Sequence, residues 1–227
     1  MEHKRLTLFA GHYGSGKTNI AVNYALQLAR EGKKVCIADL DIVNPYFRTA
    51  DSAKELEAAG IDLISPKFAN SNVDLPALPA EAYRLVEDQS SYGVMDIGGD
   101  DRGAYALGRY VPFMQKENNY RMIFVANCYR ALTRNAQDAL EVMREIEAAC
   151  GLQFTDIVNN SHLGNFTDAQ TLLDSQVFIK ELSELSGLPV YMTTVRADLA
   201  DAVGQHIPNV FPLHLQEKYF DLPDQKI

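Results

Sequence analysis

The sequence predicts an α/β fold with a mostly parallel β-sheet and helices on both of its faces. Short apolar runs alternate with helical patterns along almost the whole chain, an order typical of successive βαβ units. The 227 residues are 47% hydrophobic and 22% charged, which suits one globular domain with a sizeable core. No proline-rich, glycine/serine-rich or charged linker divides the chain. We therefore expect a single domain over residues 1–227, with a C-terminal tail from about residue 207.

The spacing of apolar residues and the length of each apolar run predict the secondary-structure elements. Short apolar runs predict strands at Leu6–Ala10, Val35–Asp39, Ile61–Ile64, Gly93–Asp96, Arg121–Ala126, Asp156–Val158 and Val190–Thr193. Helical spacing of apolar residues predicts helices at Thr18–Glu31, Ala50–Ala59, Ala80–Gln89, Ala104–Gln115, Asn135–Ala149, Thr171–Ser186 and Leu199–Gln205. Because right-handed crossovers put the carboxyl ends of parallel strands at one edge, polar residues that follow these strands should meet there.

Charge and cysteine content exclude several classes of protein. The net charge of −9 argues against binding to nucleic acid or to an anionic membrane by bulk charge. The three cysteines are far apart in sequence, which disfavours a metal site or a disulfide framework within one chain. The apolar stretch at the N-terminus is too short for a signal peptide, and no run is long enough to span a membrane. We expect a cytoplasmic protein.

The strongest motif is the run Gly11-His12-Tyr13-Gly14-Ser15-Gly16-Lys17-Thr18, which has the pattern G-x-x-x-x-G-K-T of a phosphate-binding loop. It lies between a predicted strand and a predicted helix, the context that such a P-loop requires. Glycines let backbone N–H groups close around phosphate oxygens at the positive end of the helix. Lys17 would reach the β- and γ-phosphates, the Thr18 hydroxyl would bind Mg²⁺, and Asn19 would border the nucleotide. The sequence thus predicts a three-layer P-loop NTPase fold that binds a nucleotide.

Two carboxylates, Asp39 and Asp41, close the second predicted strand. Carboxylates beside Mg²⁺ hold metal-bound water or orient the water that attacks the γ-phosphate. We assign the attacking water to Asp41 and an outer-sphere Mg²⁺ role to Asp39; the alternative is that one of them caps a turn. The run Ile42–Arg48 that follows should cross the site as a loop, because Pro45 disfavours helix at the residue before it.

The strand at Gly93–Asp96 leads into a second predicted phosphate-side loop. Asp96 fits the metal-associated carboxylate that ends a Walker B strand, and Gly98 and Gly99 permit close backbone approach to the γ-phosphate. The charged run Asp100-Asp101-Arg102 is read as a local turn ion pair in preference to a catalytic group.

These three motifs together resemble the MinD/ParA/nitrogenase-iron-protein group of P-loop ATPases, over the chain from Leu6 to about Thr194. The resemblance implies ATP and Mg²⁺ as ligands and a parallel sheet. It also implies a dimer that encloses the nucleotide. By the same resemblance, Lys17 and Thr18 are the phosphate and Mg²⁺ residues, Asp41 orients water and Asp96 is the Walker B acid.

The chain departs from that group at one position of the P-loop. The group typically carries a second lysine early in the loop, which reaches the phosphates of the partner subunit, and His12 stands there in this chain. An imidazole carries no permanent charge at pH 7, so dimerisation driven by nucleotide is in doubt. Arg48, Arg102 or Arg130 could supply the charge, and the sequence does not choose among them.

The choice of base rests on the run Val158-Asn159-Asn160-Ser161-His162. A guanine-specific loop would have Asn-Lys-x-Asp after a late strand, and the aspartate is missing here. An amide offers a donor and an acceptor to adenine, so Asn159 and Asn160 favour ATP over GTP, although a turn-capping role for Asn160 is nearly as well supported. The lone histidines His162 and His206 are read as surface or core imidazoles and not as metal ligands.

The sequence therefore predicts a Mg²⁺-dependent ATPase that switches the loops at Asp41–Arg48 and Gly98–Arg102 and acts on a protein partner, for example in metalloprotein maturation or assembly. Two other classes stay open. One is a small-molecule kinase or an ATP-dependent amide synthetase with an anionic acceptor. The other is a nucleotide-binding module with negligible turnover, which the His12 departure makes reasonable.

Overall fold

The computed structural model describes residues 2–41, 49–65, 80–99 and 101–215. Within these ranges eight strands occur in chain order: β1 Leu6–Ala10, β2 Val35–Leu40, β3 Asp62–Ile64, β4 Tyr92–Ile97, β5 Tyr120–Ala126, β6 Asp156–Asn159, β7 Val190–Arg196 and β8 Val210–Leu213. The α-helices in the same ranges are α1 Lys17–Arg30, α2 Ala53–Ala58, α3 Arg84–Glu87, α4 Asp101–Leu107, α5 Val111–Glu117, α6 Ala136–Cys150, α7 Ala169–Ser186 and α8 Ala200–Val203.

All eight strands pair in parallel in one sheet, in the order β3-β2-β4-β1-β5-β6-β7-β8. Strand β1, which precedes the P-loop, therefore lies between β4 and β5 at the centre of the sheet. In register, Phe9 and Asp39 each pair with Asp96 of β4. The strand ends that carry the predicted site thus lie side by side.

A layer of helices covers each face of the sheet. In β1, Leu6, Leu8 and Ala10 join a core cluster that also contains apolar residues of α3 to α7. Phe9, on the opposite face, joins a second cluster with residues of α1 and α2. Alternate side chains of a strand point to opposite faces, so a fully buried strand needs mostly apolar residues. Four of the five β1 residues are apolar, and the exception, Thr7, donates a hydrogen bond to the Tyr24 hydroxyl at 3.5 Å. The predicted α/β fold with three layers is confirmed.

Local signals set the ends of the long helices. Asn135 caps α6, where its Oδ1 accepts a hydrogen bond from the Asp138 amide at 2.8 Å, and Asp168 caps α7 in a capping box with Thr171. Gly151 and Gly187, both with positive φ, end these helices, because glycine adopts the left-handed conformation at a helix C-terminus without a steric cost.

Two sequence predictions of the elements were wrong. The helix expected at Ala104–Gln115 is two helices, α4 and α5, separated at Gly108. The break follows from Pro112, since its ring would clash with the carbonyl of residue 108 in a continuous helix. Strand β8 was not predicted at all; it lies at the edge of the sheet, where a strand tolerates Pro212.

A buried ion pair lies at the amino ends of the central strands, at the side of the sheet opposite the predicted site. Arg5, immediately before β1, donates to both carboxylate oxygens of Glu117 at the end of α5. It also donates to the carbonyl oxygens of Leu85, Asp88 and Ser91 at 2.9, 3.2 and 3.3 Å. One guanidinium thereby joins β1, α3 and α5, and it satisfies groups that would otherwise be buried without partners.

We expect Arg5→Leu to lower the free energy of unfolding by about 3–5 kcal/mol, because Glu117 would be left as a nearly buried charge without a partner. The exposed pair Arg84–Asp62, at 3.4 Å, supplies the control: Arg84→Ala should cost less than about 1 kcal/mol. Urea denaturation of both variants tests this, and equal losses would contradict the role assigned to Arg5.

Candidate functional site

The P-loop adopts the backbone conformations that its glycines permit. Gly14 and Gly16 have φ of 75° and 91°, in the left-handed region that favours glycine. Gly11 lies so close to β5 that a Cβ there would be 2.6 Å from the carbonyl oxygen of Val125. Gly16 is the N-cap of α1, so the loop delivers the chain directly into the helix. The strand, turn and helix that the motif requires are all present.

Lys17 starts α1 and is nearly buried, with 5% of its surface exposed. Its Nζ donates to the carbonyl oxygen of His12 at 3.3 Å. The loop after β4 packs directly against this region: a Cβ on Gly99 would lie 2.7 Å from the Tyr13 amide nitrogen and 2.9 Å from Lys17 Nζ. Any residue larger than glycine at position 99 would therefore displace the P-loop.

The next helix repeats this close packing. A Cβ on Gly103, in the first turn of α4, would lie 2.6 Å from the Cα of Gly98. The backbone of the β4–α4 loop is thus held between the P-loop on one side and α4 on the other. The sequence predicted that Gly98 and Gly99 permit close backbone approach to the γ-phosphate, and this stays a prediction. In the structure both glycines also lie close to the protein's own backbone.

Asp96 is the penultimate residue of β4 and is almost fully buried. Its Oδ2 accepts a hydrogen bond from the Thr49 hydroxyl at 3.2 Å, and Thr49 is itself fully buried. Its Oδ1 is buried without a hydrogen-bond partner in the described ranges. Burial raises the pKa of this carboxyl group to about 6; the Thr18 hydroxyl and the Lys17 ammonium act in the opposite direction, and Asp41 reinforces the rise. A divalent cation would satisfy the free oxygen and favour the ionised form, so this site fits Mg²⁺.

The two carboxylates after β2 have different surroundings. Asp39 is nearly buried, and its Oδ1 accepts a hydrogen bond from the Asp41 amide at 3.0 Å, as in an Asx turn. Asp41 lines the main cavity of the site. Asp39 therefore shapes the turn that presents Asp41. The run 42–48, with the predicted loop residues Pro45 and Arg48, lies outside the described residues, as do Asp100 and the side chains of Asp101 and Arg102.

Asn160 braces the P-loop from the side of β6. Its Nδ2 donates to the Ser15 carbonyl oxygen at 2.6 Å, and its Oδ1 accepts from the Thr194 hydroxyl at 2.6 Å. A Cβ on Gly16 would lie 2.2 Å from this Nδ2, so the brace also requires glycine at that position. In this arrangement the Asn160 side chain holds the loop to the end of β7.

Asn159, the other residue predicted to face the base, is fully buried and does not line the cavity. Its Nδ2 donates to the Ser175 hydroxyl of α7 at 2.9 Å, and its Oδ1 accepts from the Ser161 amide at 3.2 Å. These hydrogen bonds join Asn159 to α7 and to the loop after β6, so Asn159 orders that loop.

A cavity of about 440 Å³ runs along the P-loop. Asp41 and Lys17 border one part of it, and the loop after β6 and the carboxyl-terminal ends of β7 and β8 border much of the rest. The wall is formed by Tyr13, Gly14, Gly16, Lys17, Thr18, Asn19, Asp41, Arg130, Asn160, His162, Gly164, Asn165, Thr167, Leu172, Thr194, Arg196, Leu213 and Leu215. His162 is half-buried in this wall, where desolvation and the Arg130 charge lower the pKa of the imidazole to about 4. His206, by contrast, is exposed.

Thr49, Thr194 and Arg196 were missed by the sequence analysis. Thr194 and Arg196 lie near the end of β7, so the rule that polar residues after strands meet at one edge would have found them. Thr49 follows the predicted loop by one residue, and no local pattern marks it. Among the described residues no group of three His, Cys, Asp or Glu side chains could hold a metal ion by itself. No helix in the described ranges is long and apolar enough to cross a membrane.

A comparison with protein-family models gives no match. A comparison with curated proteins likewise finds no similar sequence. Solved structures do resemble the chain. FtsY from Mycoplasma mycoides matches 86% of this chain with a TM-score of 0.57 and 16% identity, over 62% of its own length. The signal recognition particle receptor FtsY from Elizabethkingia anophelis, solved with GDP, matches 86% of the chain with a TM-score of 0.52 and 15% identity, over 58% of its length.

A third match is the signal recognition particle 54 kDa protein from Aeropyrum pernix, also solved with GDP. It matches 85% of this chain with a TM-score of 0.54 and 18% identity, over 41% of its own length. The chain thus spans less than two thirds of each of these proteins. At such low identity the likeness shows the fold alone: this chain has an α/β fold of the P-loop NTPase type.

We expect Gly99→Ala to lower the free energy of unfolding by about 1–3 kcal/mol, because the added methyl group would overpack the contact with the Tyr13 backbone. Gly108→Ala is the control, since a Cβ there would meet only the Tyr105 carbonyl at 3.2 Å and the Cys150 carbonyl at 3.6 Å. Denaturant unfolding compares the two. A Gly99→Ala variant as stable as the Gly108→Ala variant would show that the loop does not pack tightly on the P-loop.

Proposed function

We propose that the chain is a Mg²⁺-dependent ATPase of the MinD/ParA-like kind, in which ATP binding and hydrolysis change the loops around the γ-phosphate. One observation carries this proposal: the P-loop, Asp41 and the Asp96–Gly99 loop converge at one edge of the sheet, beside a cavity of about 440 Å³. The buried and unpartnered Oδ1 of Asp96 supports a cation at the same place. The cytoplasmic location expected from the sequence stays a prediction.

Different side chains would have different roles in ATP hydrolysis. The loop amides and Lys17 would bind the phosphate chain and stabilise the charge that develops on it. Thr18 and Asp96 would hold Mg²⁺, and the ion would supply neutralisation of the negative charge on the phosphates. Asp41 would orient the water whose oxygen bonds to the γ-phosphorus while the bond to the bridging oxygen breaks. ADP and inorganic phosphate are the products.

ATP is favoured over GTP by the charges that line the cavity. Among the described lining residues the only carboxylate is Asp41, which borders the P-loop region. The loop after β6 and the carboxyl-terminal ends of β7 and β8 offer amide, hydroxyl, imidazole, guanidinium and apolar groups instead. A guanine base presents two adjacent N–H donors that a carboxylate would satisfy, whereas adenine does not need one. The GDP in two of the similar structures makes GTP the necessary comparison.

The switch would be the β4–α4 loop. Gly99 contacts the P-loop and Gly103 contacts Gly98, so a small displacement at the phosphate would pass directly to α4. Two exposed aromatic side chains, Tyr13 in the P-loop at 57% and Tyr105 in α4 at 66%, offer contact area to a protein partner or to a second copy of the chain.

His12 favours a second candidate, a nucleotide-binding module with slow turnover. The imidazole Nδ1 lies 2.9 Å from the Tyr13 carbonyl oxygen, so this side chain contacts its own loop. Without a second fixed charge on the phosphates, hydrolysis would need a partner to reach a useful rate.

Phosphate release in a single turnover, with Mg-ATP and with Mg-GTP, tests the proposal. We expect ATP-selective release in the wild type. Lys17→Ala should weaken ATP binding by at least about 10-fold, because it removes a charge-assisted phosphate contact. Asp41→Ala should still bind ATP but release phosphate roughly 100-fold more slowly, because the attacking water loses its orienting group.

Glu181→Ala, which removes an exposed carboxylate on α7, is the matched control and should behave as the wild type. If the protein binds ATP tightly but releases no phosphate, and the variants do not differ from the wild type in phosphate release, the binding module is favoured. Equal or stronger binding of GTP would reverse the choice of base, and binding of neither nucleotide would overturn the proposal.

A further inference from the structure

The turn after β5 places an arginine against the P-loop. The Arg130 amide donates to the Asn127 carbonyl at 3.2 Å, and the Thr133 hydroxyl donates to the same carbonyl at 2.6 Å. The Tyr129 amide donates to Asn127 Oδ1 at 3.0 Å. Asn127 is fully buried, so these hydrogen bonds define a fixed turn, from which the Arg130 side chain extends.

The guanidinium group lies along the backbone of the P-loop. Its Nε donates to the Gly14 carbonyl oxygen at 2.9 Å. A Cβ on Gly14 would lie 3.7 Å from Arg130 Nε and 3.9 Å from its Cζ. Arg130 also lines the cavity beside the P-loop. The side chain is therefore positioned by a contact with the same loop that carries Lys17.

The charge of this group is not neutralised within the described part of the chain. No carboxylate there pairs with Arg130, and the Gly14 carbonyl accepts its only hydrogen bond from the side chain. The Nη1 and Nη2 donors are thus available to a ligand. By contrast, Arg5, Arg121, Arg144 and Arg196 each pair with a carboxylate. An unpaired guanidinium in the wall of a cavity is notable in a chain with a net charge of −9.

We propose that Arg130 is a second cationic contact for the phosphate chain of the nucleotide, supplied by the same subunit in place of the lysine that His12 replaces. A guanidinium group presents a planar fork of donors that suits phosphate oxygens, and it is charged at every accessible pH. This inference rests on the proposed function, because it requires that the P-loop bind a nucleotide.

The test must distinguish two roles of Arg130: binding of the phosphates through its charge, and stabilisation of the P-loop through its contact with Gly14. Equilibrium binding of Mg-ATP, Mg-ADP and adenosine is measured by calorimetry for the wild type, Arg130→Gln and Arg130→Lys. Arg134→Gln is the matched control, because it removes an exposed arginine from the same segment. The series is run at low and high salt.

We expect Arg130→Gln to weaken binding of ATP and ADP by about 10- to 100-fold, the range for a lost charge-assisted hydrogen bond. Arg130→Lys should recover part of this affinity, because it restores the charge but not the planar fork of donors. Adenosine binding should not change, and high salt should narrow the difference in affinity between wild type and Arg130→Gln. Arg134→Gln should stay within about twofold of the wild type, since exposed charges are screened.

Two results would overturn the inference while the proposed function stands. The first is a wild type that binds ATP no more tightly than Arg130→Gln does. The second is an Arg130→Lys variant that binds ATP as weakly as Arg130→Gln at either salt concentration. The latter would mean that Arg130 only braces Gly14. A wild type that binds neither ATP nor GTP would overturn the proposed function itself, and this inference with it.

Discussion

The candidate site depends on the close approach of three backbone segments at the centre of the sheet. The P-loop, the loop after β4 and the first turn of α4 meet at distances that only glycine allows, at Gly99 and Gly103. This packing is possible because β1 and β4 are neighbours in register, with Phe9 beside Asp96. A side chain at either glycine would separate Asp96 from the loop that carries Lys17.

The P-loop is held from other directions as well. Asn160 joins the Ser15 carbonyl to Thr194, and Arg130 contacts the Gly14 carbonyl. These two side chains bond to carbonyl oxygens of the loop and do not occupy its amide groups, which are the groups that an anion-binding loop uses. The polar residues at the ends of β5, β6 and β7 thus serve to position the loop, whatever else they contact when a nucleotide is bound. Rigidity of this kind lowers the cost of organising a phosphate site.

The sequence predicted what local chemistry determines. The P-loop, the strand before it and the helix after it follow from glycine spacing and apolar periodicity within 25 residues, and seven strands follow from the same periodicity. The roles of Asn160 and Thr49 depend on contacts across the fold: Asn160 and Ser15 are 145 residues apart. The edge strand β8 was missed because it has four residues and a proline, and the break between α4 and α5 because a single proline outweighs a continuous apolar pattern.

Hydrogen–deuterium exchange with and without Mg-ATP tests the central claim most directly, because it reports where a nucleotide binds. The account predicts slower exchange in three segments: the P-loop at residues 11–18, the β4–α4 loop around Gly99, and the segment after β6 at residues 160–167. Helix α7 beyond Ser175, remote from the cavity, should not change. Unchanged exchange in the P-loop at saturating nucleotide, or protection confined to other parts of the chain, would contradict the account.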